Sequence, residues 1–265
     1  MMKLNSFFLT LIFLSSCATN NAPTSAKGKS AAEAMVMQAM YNNFDGKTTI
    51  LLPDSKEAIS YQKFRPGLYV LPGDEIVCKP GQWLDLGSSN AMMITSCNSS
   101  IGADCPACAP VMGVAFLSKN KNGDWVREEL KPFVMSLGGN GRLPEATQVQ
   151  LGKNSWGVSF DSVKHLQGTT ETTRTLFTAT KDFKEILSYT LSGNNRGNCG
   201  PKTQFPCYSY ETTFKTSVDS EGMGPIKMYK TGTEPIRDNP KLIYPADRHM
   251  KFCFTGVRYE RPCPN

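Results

Sequence analysis

A hydrophobic period of two residues recurs along most of this chain, and it constrains the fold more than any other feature. Successive side chains of a β-strand point to opposite faces, so residues of one parity share a face. Six residues of one parity show this pattern: Tyr208, Tyr210, Thr212, Phe214, Thr216 and Val218. Short segments of this kind, separated by turn residues, predict a mainly β fold, an antiparallel β-sandwich or barrel.

A second clear strand is predicted around Trp156, which we expect in the core together with Val158 and Phe160. The intervening Ser159 and Asp161 are then expected on the solvent face. Further strands are predicted at residues 48–52, 67–71, 111–117, 124–129, 174–179, 185–191 and 226–229. A β-propeller is the alternative fold, although the turn at residues 122–125 has no clear second copy.

The first and last parts of the patterned region depart from a plain period of two. Residues 31–44 carry Ala, Met and Glu at helical spacing without an internal Gly or Pro, which predicts one short helix. Near the C-terminus Phe252 and Phe254 share a parity. Val257 and Tyr259 resume the alternation one residue out of phase, which predicts a β-bulge between the two pairs.

The N-terminus has the three parts of a secretory signal: a basic Lys3, an apolar stretch at residues 7–14 and small residues at 15–16. Residues 14–17, Leu-Ser-Ser-Cys, resemble the bacterial lipobox, in which an aliphatic and two small residues precede a cysteine. The resemblance implies that the thiol of Cys17 receives a diacylglycerol and that the signal peptide is then removed. It also implies that fatty acyl chains such as palmitate anchor the mature lipoprotein in a membrane.

The same resemblance predicts the domain organisation. Residues 1–16 are the expected signal peptide, residues 17–30 a flexible tether rich in small and polar residues, and residues 31–265 one mainly β domain. Residues 45–110 contain four cysteines and are a candidate subdomain. By similarity to lipoprotein sorting in enteric bacteria, Ala18 after the lipidated cysteine implies the outer membrane. The sequence does not indicate which side of that membrane the domain faces.

Eight cysteines follow Cys17, at Cys78, Cys97, Cys105, Cys108, Cys199, Cys207, Cys253 and Cys263. An even number in an oxidising compartment predicts a disulfide framework. Cys199 and Cys207 bracket a turn-rich loop that can bring them together. Cys78 and Cys97 flank a segment that can form a hairpin.

The remaining C-terminal pair is harder to place. On one straight strand Cys253 and Cys263 would lie about 33 Å apart. A disulfide requires Cα atoms within about 7 Å of each other. These two cysteines can therefore bond only if the chain turns back between them.

The positive charge of the chain, +6 overall, is concentrated near its C-terminus. Residues 226–265 hold eight basic and four acidic side chains, a net charge of +4. Arg248, Lys251, Arg258 and Arg261 are candidate contacts to an anionic envelope polymer or lipid headgroup. The alternative is a solvated surface without a partner. Nucleic acid is not an expected partner, because the compartment excludes it and no recognition motif is present.

Cys105 and Cys108 form a C-P-x-C motif that resembles the redox motif of thioredoxin-like proteins. In that fold the first cysteine lies at a helix N-terminus, which lowers its pKa. Here the motif is followed by the predicted strand at residues 111–117, so disulfide bonding is favoured over redox catalysis. A zinc site would require a second close pair or histidine partners, and we predict neither a metal nor another cofactor.

Catalysis is not predicted from the polar residues. Ser159, Asp161 and His165 are close in sequence, but alternation already explains the first two as the exposed face of a strand. The chain contains only one other histidine, His249, and it lacks the nucleophile-elbow and zinc-protease motifs.

The leading functional hypothesis is a lipid-anchored cell-envelope protein that binds or scaffolds another envelope protein or polymer without catalysis. A cell-wall or glycan hydrolase is one alternative, and it would require carboxylates lining a cleft. A thiol-disulfide or metal-binding protein that uses Cys105 and Cys108 is the other.

Overall fold

The computed structural model describes residues 23–52, 55–64, 75–99, 108–200, 203, 205–236, 239–261 and 263. Within these residues the chain is mainly β, with antiparallel sheets. The elements are α1 (Gly28–Tyr41), α2 (Lys56–Gln62), β1 (Ser25–Ala26), β2 (Thr49–Leu51), β3 (Ile76–Asp85), β4 (Asn90–Ser99), β5 (Val111–Lys119), β6 (Trp125–Ser136), β7 (Ala146–Gly152), β8 (Ser155–Leu166), β9 (Thr169–Thr178), β10 (Glu185–Asn194), β11 (Ser209–Thr216), β12 (Ile226–Ile236), β13 (Asn239–Pro245), β14 (Arg248–Phe254) and β15 (Tyr259–Glu260).

The N-terminal half forms a six-stranded sheet in the order β1-β6-β5-β4-β3-β2. Both faces of its central strands are buried. Met93 and Cys97 of β4 pack in one cluster with α1, whereas Met92 and Ile94 pack in a second cluster with residues of the other sheet. The six-stranded sheet is therefore the middle layer between the helices and the second sheet.

Helix α1 covers the outer side of this sheet through apolar residues such as Met35 and Met40. At its C-terminal end the hydroxyl of Tyr41 lies 2.6 Å from Thr95 Oγ1 and donates to the Pro132 carbonyl at 2.7 Å. Burial raises the pKa of Tyr41 well above its ordinary value, against the opposing effect of the Thr95 hydrogen bond. The buried hydroxyl is thus satisfied and ties α1 to β4 and β6.

The C-terminal half forms a nine-stranded sheet in the order β15-β14-β12-β11-β10-β9-β8-β7, with β13 also paired to β12. This sheet curls into a half-barrel. The Gly224 amide donates to the Leu151 carbonyl at 2.7 Å, and the Tyr259 hydroxyl donates to the Gly224 carbonyl at 2.8 Å. These bonds connect the β11–β12 loop to β7 and to β15, so distant strands of the sheet approach one another.

Aromatic rings fill the space where the two sheets pack together. Phe160 of β8 meets Phe177 of β9 edge-on at 5.7 Å, and Phe177 stacks on Phe183 at 4.7 Å. Phe183 also meets Phe116 of β5 at 6.2 Å. All four rings belong to one buried cluster, so the sheets share a continuous core.

The predicted sandwich or barrel class is confirmed, and the propeller alternative is wrong because the described strands form two large sheets rather than separate blades. The predicted helix exists but is shifted, at Gly28–Tyr41 instead of residues 31–44. The proposed boundary at residue 110 is not a break, because Val111 pairs with Cys97 in the same sheet. The strand predicted at 67–71 lies outside the described residues.

Two further predictions at the chain ends need correction. The tether was expected to reach residue 30, but Ser25–Ala26 pairs with β6 and α1 begins at Gly28. At the other end Val257 lies in a turn, not beyond a bulge, because β15 folds back and pairs with β14. The Thr255 amide donates to the Arg258 carbonyl at 3.0 Å and closes this turn.

Candidate functional site

The outer face of strands β11, β12 and β14 carries an unusual row of charges. The cross-strand register places Lys215 opposite Lys227, and Lys227 opposite Lys251. All three side chains are exposed. We call Lys215, Lys227 and Lys251 the lysine ladder.

Alternation along β12 explains why the ladder faces solvent. Ile226 and Met228 are buried in the half-barrel cluster, so the residues between them, including Lys227, must point outward. Adjacent strands lie about 4.8 Å apart. The ladder is therefore a short row of positive charges that runs across three neighbouring strands.

No acidic partner neutralises the ladder within the described part of the chain. Like charges directly opposite each other on neighbouring strands are destabilising. An anion that binds across the three ammonium groups would remove this repulsion. The three lysines thus repel one another, and a bound anion would reduce that repulsion.

The row next to the ladder is aromatic. Tyr229 pairs with His249 across β12 and β14, and their rings stack at 4.3 Å with an interplanar angle of 22°. Both side chains are exposed. On β15, Glu260 is paired in register with Cys253 and lies on this face two residues along from Lys251, but its carboxylate pairs with Arg258. Glu211 and Asp247 lie four residues along their chain segments from Lys215 and Lys251, about 13 Å from the ladder. At that distance exposed charges are largely screened at physiological salt, where the screening length is about 8 Å.

The inner face of the same strands holds a second charged cluster, which differs from the ladder because its charges are buried and paired. Lys230 and Glu234 are only 5% and 7% exposed, and they form an ion pair. Glu234 also accepts a hydrogen bond from Tyr244 at 2.7 Å and pairs with Arg248. The Lys230 ammonium lies 3.5 Å from the centre of the Tyr210 ring. This inner cluster is internally neutralised and ties β11, β12, β13 and β14 together.

The pKa of Glu234 depends on both its burial and its hydrogen-bonded neighbours. Burial would raise the pKa of its carboxyl, but hydrogen bonds from Lys230, Tyr244 and Arg248 outweigh burial and lower the pKa. Glu234 is therefore held as a carboxylate. Its negative charge is needed to keep the buried Lys230 ammonium compensated.

The structure does not assemble the four basic residues predicted to contact a polyanion into one patch. Lys251 belongs to the lysine ladder, but Arg248 has the opposite parity on β14 and pairs with Glu234. Arg258 pairs with Glu260 at 2.9 Å, and the Arg261 guanidinium lies 6.0 Å from the Phe252 ring. Arg258 and Arg261 line a groove next to β10 and β14.

Cysteine pairing in the structure follows the local arguments. Cys78 bonds to Cys97 across the β3–β4 hairpin, and Cys199 bonds to Cys207 across the turn-rich loop. Cys253 also bonds to Cys263, and their Cα atoms are 5.0 Å apart because the chain turns back after β14.

Only Cys108 of the C-P-x-C motif lies within the described residues. Cys108 is disulfide-bonded, and Cys105 lies outside the described residues. Cys108 is followed directly by β5, as the sequence predicts, and not by a helix. The thiolate stabilisation that a helix N-terminus provides is therefore not available to Cys108 from the residues that follow it.

The residues considered for hydrolysis do not form a triad. Ser159 is only 2% exposed, so its predicted position on the solvent face is wrong, and its hydroxyl donates to the Thr147 carbonyl at 3.4 Å. Asp161 makes a bidentate pair with Arg174, and His165 bonds to Thr170. Among the described residues no group of His, Cys, Asp and Glu could hold a metal ion.

Sequence reasoning missed Lys215 and Lys227. Lys215 follows the apolar Phe214 and Lys227 precedes the apolar Met228 in the chain. Neighbouring residues of a strand point to opposite faces, so the sequence already indicates that both lysines are exposed. The sequence does not indicate their alignment with Lys251, because it depends on the register of two strand pairings.

Comparison of the chain with protein-family models, with curated proteins and with solved structures finds no match. In the part of the chain that is described, neither helix is long and apolar enough to cross a membrane. Function is therefore inferred from the geometry of the molecule itself.

Proposed function

We propose that this chain is a lipoprotein anchored in the bacterial outer membrane, which binds an anionic polymer of the cell envelope without catalysis. The observation that carries the binding function is the lysine ladder, three exposed ammonium groups aligned across three strands without an acidic neighbour in their row. The anchor is supported by the lipobox-like residues ending at Cys17. Several acyl chains on one cysteine would hold the domain firmly, since each buried methylene contributes about 0.8 kcal/mol.

The shape of the ladder favours a linear polymer over a small anion. A single phosphate is best held by a concave cluster of donors, whereas these three side chains stand in a row on a sheet face. A row with a spacing of about 4.8 Å can contact successive negative groups of a polymer at once. The stacked rings of Tyr229 and His249 provide an apolar surface along one side of the row.

Binding to the polymer is tested with a soluble form of the protein that begins at residue 18, because an anchor would mask weak contacts. Dextran sulfate serves as a generic linear polyanion, and vesicles rich in phosphatidylglycerol serve as a lipid surface. The triple variant Lys215→Gln, Lys227→Gln, Lys251→Gln should lose most of the affinity for dextran sulfate. The affinity of the unmodified domain should fall steeply with added salt, because exposed charges are screened over about 8 Å at physiological ionic strength.

A matched control removes three exposed lysines from other parts of the surface, with the substitutions Lys63→Gln, Lys121→Gln and Lys164→Gln. It changes the net charge by the same amount and should retain most of the binding. Equal losses in the two triple variants would show that only net charge matters and would overturn the ladder as the site. Stronger binding to the vesicles than to dextran sulfate would assign the ladder to lipid headgroups instead.

Lipidation is tested separately in cells. Replacing Cys17 by Ala should abolish incorporation of labelled fatty acid and leave the precursor uncleaved. Normal processing and membrane retention of this variant would contradict the anchor while leaving the ladder untouched.

A further inference from the structure

A cleft of about 410 Å³ opens at one edge of the packing between the two sheets. One wall comes from the six-stranded sheet and includes Asn90 and Glu128. The other wall comes from the nine-stranded sheet and includes Asn154, Trp156 and Lys181. The volume lies in the range of small-molecule sites, about 300–1,000 Å³. We call it the inter-sheet cleft.

The floor of the inter-sheet cleft is apolar. Leu86, Phe116 and Met223 line it from three separate parts of the chain. Met223 is brought there by the β11–β12 loop, which approaches β7 so closely at Gly152 that a side chain there would clash with Gly222. The close backbone approach requires glycine at position 152 and holds the loop that carries Met223 against β7.

The β9–β10 loop forms one rim and is held in place from below. Phe183 is buried beneath the loop and has φ of 40°, in the left-handed region that non-glycine residues rarely adopt. Its amide donates to the Thr180 carbonyl at 2.9 Å, and the Ala179 amide donates to the Trp156 carbonyl at 3.1 Å. These anchors place Thr180 and Lys181 at the rim, so the cleft is preformed.

Trp156 is the central feature of the cleft. We expected it in the core, but it is 39% exposed because it lies at the start of β8, where the two sheets part. Its indole N–H has no hydrogen-bond partner within the described residues. The sheet wall thus presents a flat apolar ring with a free donor at its edge.

The charges of the cleft cancel. Lys181 forms an ion pair with Glu128 at 2.8 Å that bridges the two walls, and these are the charged residues among its described lining. The side-chain amides of Asn90 and Asn154 make no hydrogen bond within the described part of the chain. The cleft therefore offers free polar groups without net charge around an apolar ring and floor.

We propose that the inter-sheet cleft binds a neutral sugar unit of a glycan, as a second site independent of the lysine ladder. A pyranose ring has an apolar face of C–H groups and a rim of hydroxyls that both donate and accept. Trp156 matches the apolar face, and Asn90, Asn154 and the Glu128–Lys181 pair match the hydroxyls. A purely apolar ligand would leave these amides unpaired, and an anion would meet a neutral pair.

The test titrates the purified full-length chain in detergent with chitotetraose and with cellotetraose, two neutral oligosaccharides, by calorimetry. Binding of at least one sugar is expected, insensitive to salt because no charge is exchanged. Trp156→Ala should weaken that binding about tenfold or more, as loss of a central aromatic contact does. Asn154→Ala should weaken it as well, and because Asn154 is an exposed turn residue this variant keeps the test valid if Trp156→Ala fails to fold.

Trp83→Phe is the control for tryptophan loss, since Trp83 packs on Trp125 beside α1 and does not line the cleft. The lysine-ladder triple variant should bind the sugar within about twofold of the unmodified chain, whatever happens to its polyanion binding. Failure of both sugars to bind at millimolar concentration would overturn the proposal. Sugar binding that is unchanged in both Trp156→Ala and Asn154→Ala, or binding of cell-wall peptides instead of sugars, would overturn it too.

Discussion

The two sheets of this protein differ in how much of their surface is covered. The six-stranded sheet is packed on both faces, by α1 on one side and by the second sheet on the other. The nine-stranded sheet is packed over β8 and β9, but the outer face of β11, β12 and β14 is open to solvent. The proposed polyanion contact therefore lies on the open face, away from the packed core that stabilises the fold, because unpaired charge costs little free energy where it stays in contact with water.

The largest expected effect lies at the contact between the sheets. Phe160→Ala should lower the free energy of unfolding by about 4 kcal/mol, because it leaves a cavity in a fully buried aromatic cluster. Phe214→Ala, on the half-buried inner face of β11, should cost about half as much. Urea unfolding of the soluble domain measures both. Equal losses would mean that the half-barrel is as tightly packed as the inter-sheet core, which would remove the contrast between the sheets.

An intermediate effect is expected within the nine-stranded sheet, at its buried charges. Glu234→Gln should lower the free energy of unfolding by about 3 kcal/mol, because it leaves the Lys230 ammonium buried without a counter-charge. Glu260→Gln, which breaks the exposed pair with Arg258, should cost less than about 1 kcal/mol.

The Glu234→Gln variant should also differ from the unmodified domain in how its stability depends on pH. Because the pKa of Glu234 is lowered in the folded state, its contribution to stability is present above the ordinary carboxyl pKa. That contribution is lost as the pH falls through the lowered folded value. Urea unfolding between neutral and acidic pH should therefore show a shallower decline in Glu234→Gln than in the unmodified domain. Parallel declines in the two proteins would show that Glu234 does not stabilise the fold through its charge.

The smallest effect, and one of opposite sign, is expected at the lysine ladder. Lys227→Gln removes the middle charge of the row and should stabilise the domain by a few tenths of a kcal/mol at low salt. The gain should disappear at high salt, where repulsion is screened. Lys121→Gln, at an exposed position of the β5–β6 turn, is the control and should leave the melting temperature unchanged. A salt-independent change at Lys227 would indicate altered strand propensity rather than relieved repulsion.

The contrast between the sheets also explains which parts of the fold the sequence could predict. β11 has one exposed face, so its apolar residues alternate and the strand was predicted over nearly its full length. β4 was suggested only indirectly, by the hairpin between Cys78 and Cys97. Its residues from Ala91 to Cys97 are buried on both faces, which removes the period of two. Helix α2 spans seven residues, too few for helical spacing to be recognised, although Ser55 caps it by accepting from the Ala58 amide.

The candidate sites depended on information that local patterns do not contain. The lysine ladder unites residues 215, 227 and 251 through the register of two strand pairings, and only Lys251 among them was predicted as a contact. Trp156 has the parity of a core residue, but parity does not tell where the covering sheet ends. The inter-sheet cleft was therefore invisible until both sheets were placed.

The short strand β1 has a mechanical consequence for the proposed anchor. Because Ser25–Ala26 is fixed to β6, only seven residues separate Cys17 from the folded domain. The eight Cα–Cα steps from Cys17 to Ser25 span at most about 28 Å when fully extended, at roughly 3.5 Å per step. With acyl chains on Cys17, the domain would be confined to a thin layer above the bilayer, where a tethered ligand or polymer meets it at an effective concentration in the millimolar range. At such a concentration the proposed contacts of the lysine ladder would keep a polymer at the membrane surface, even if they were too weak to hold a freely diffusing protein.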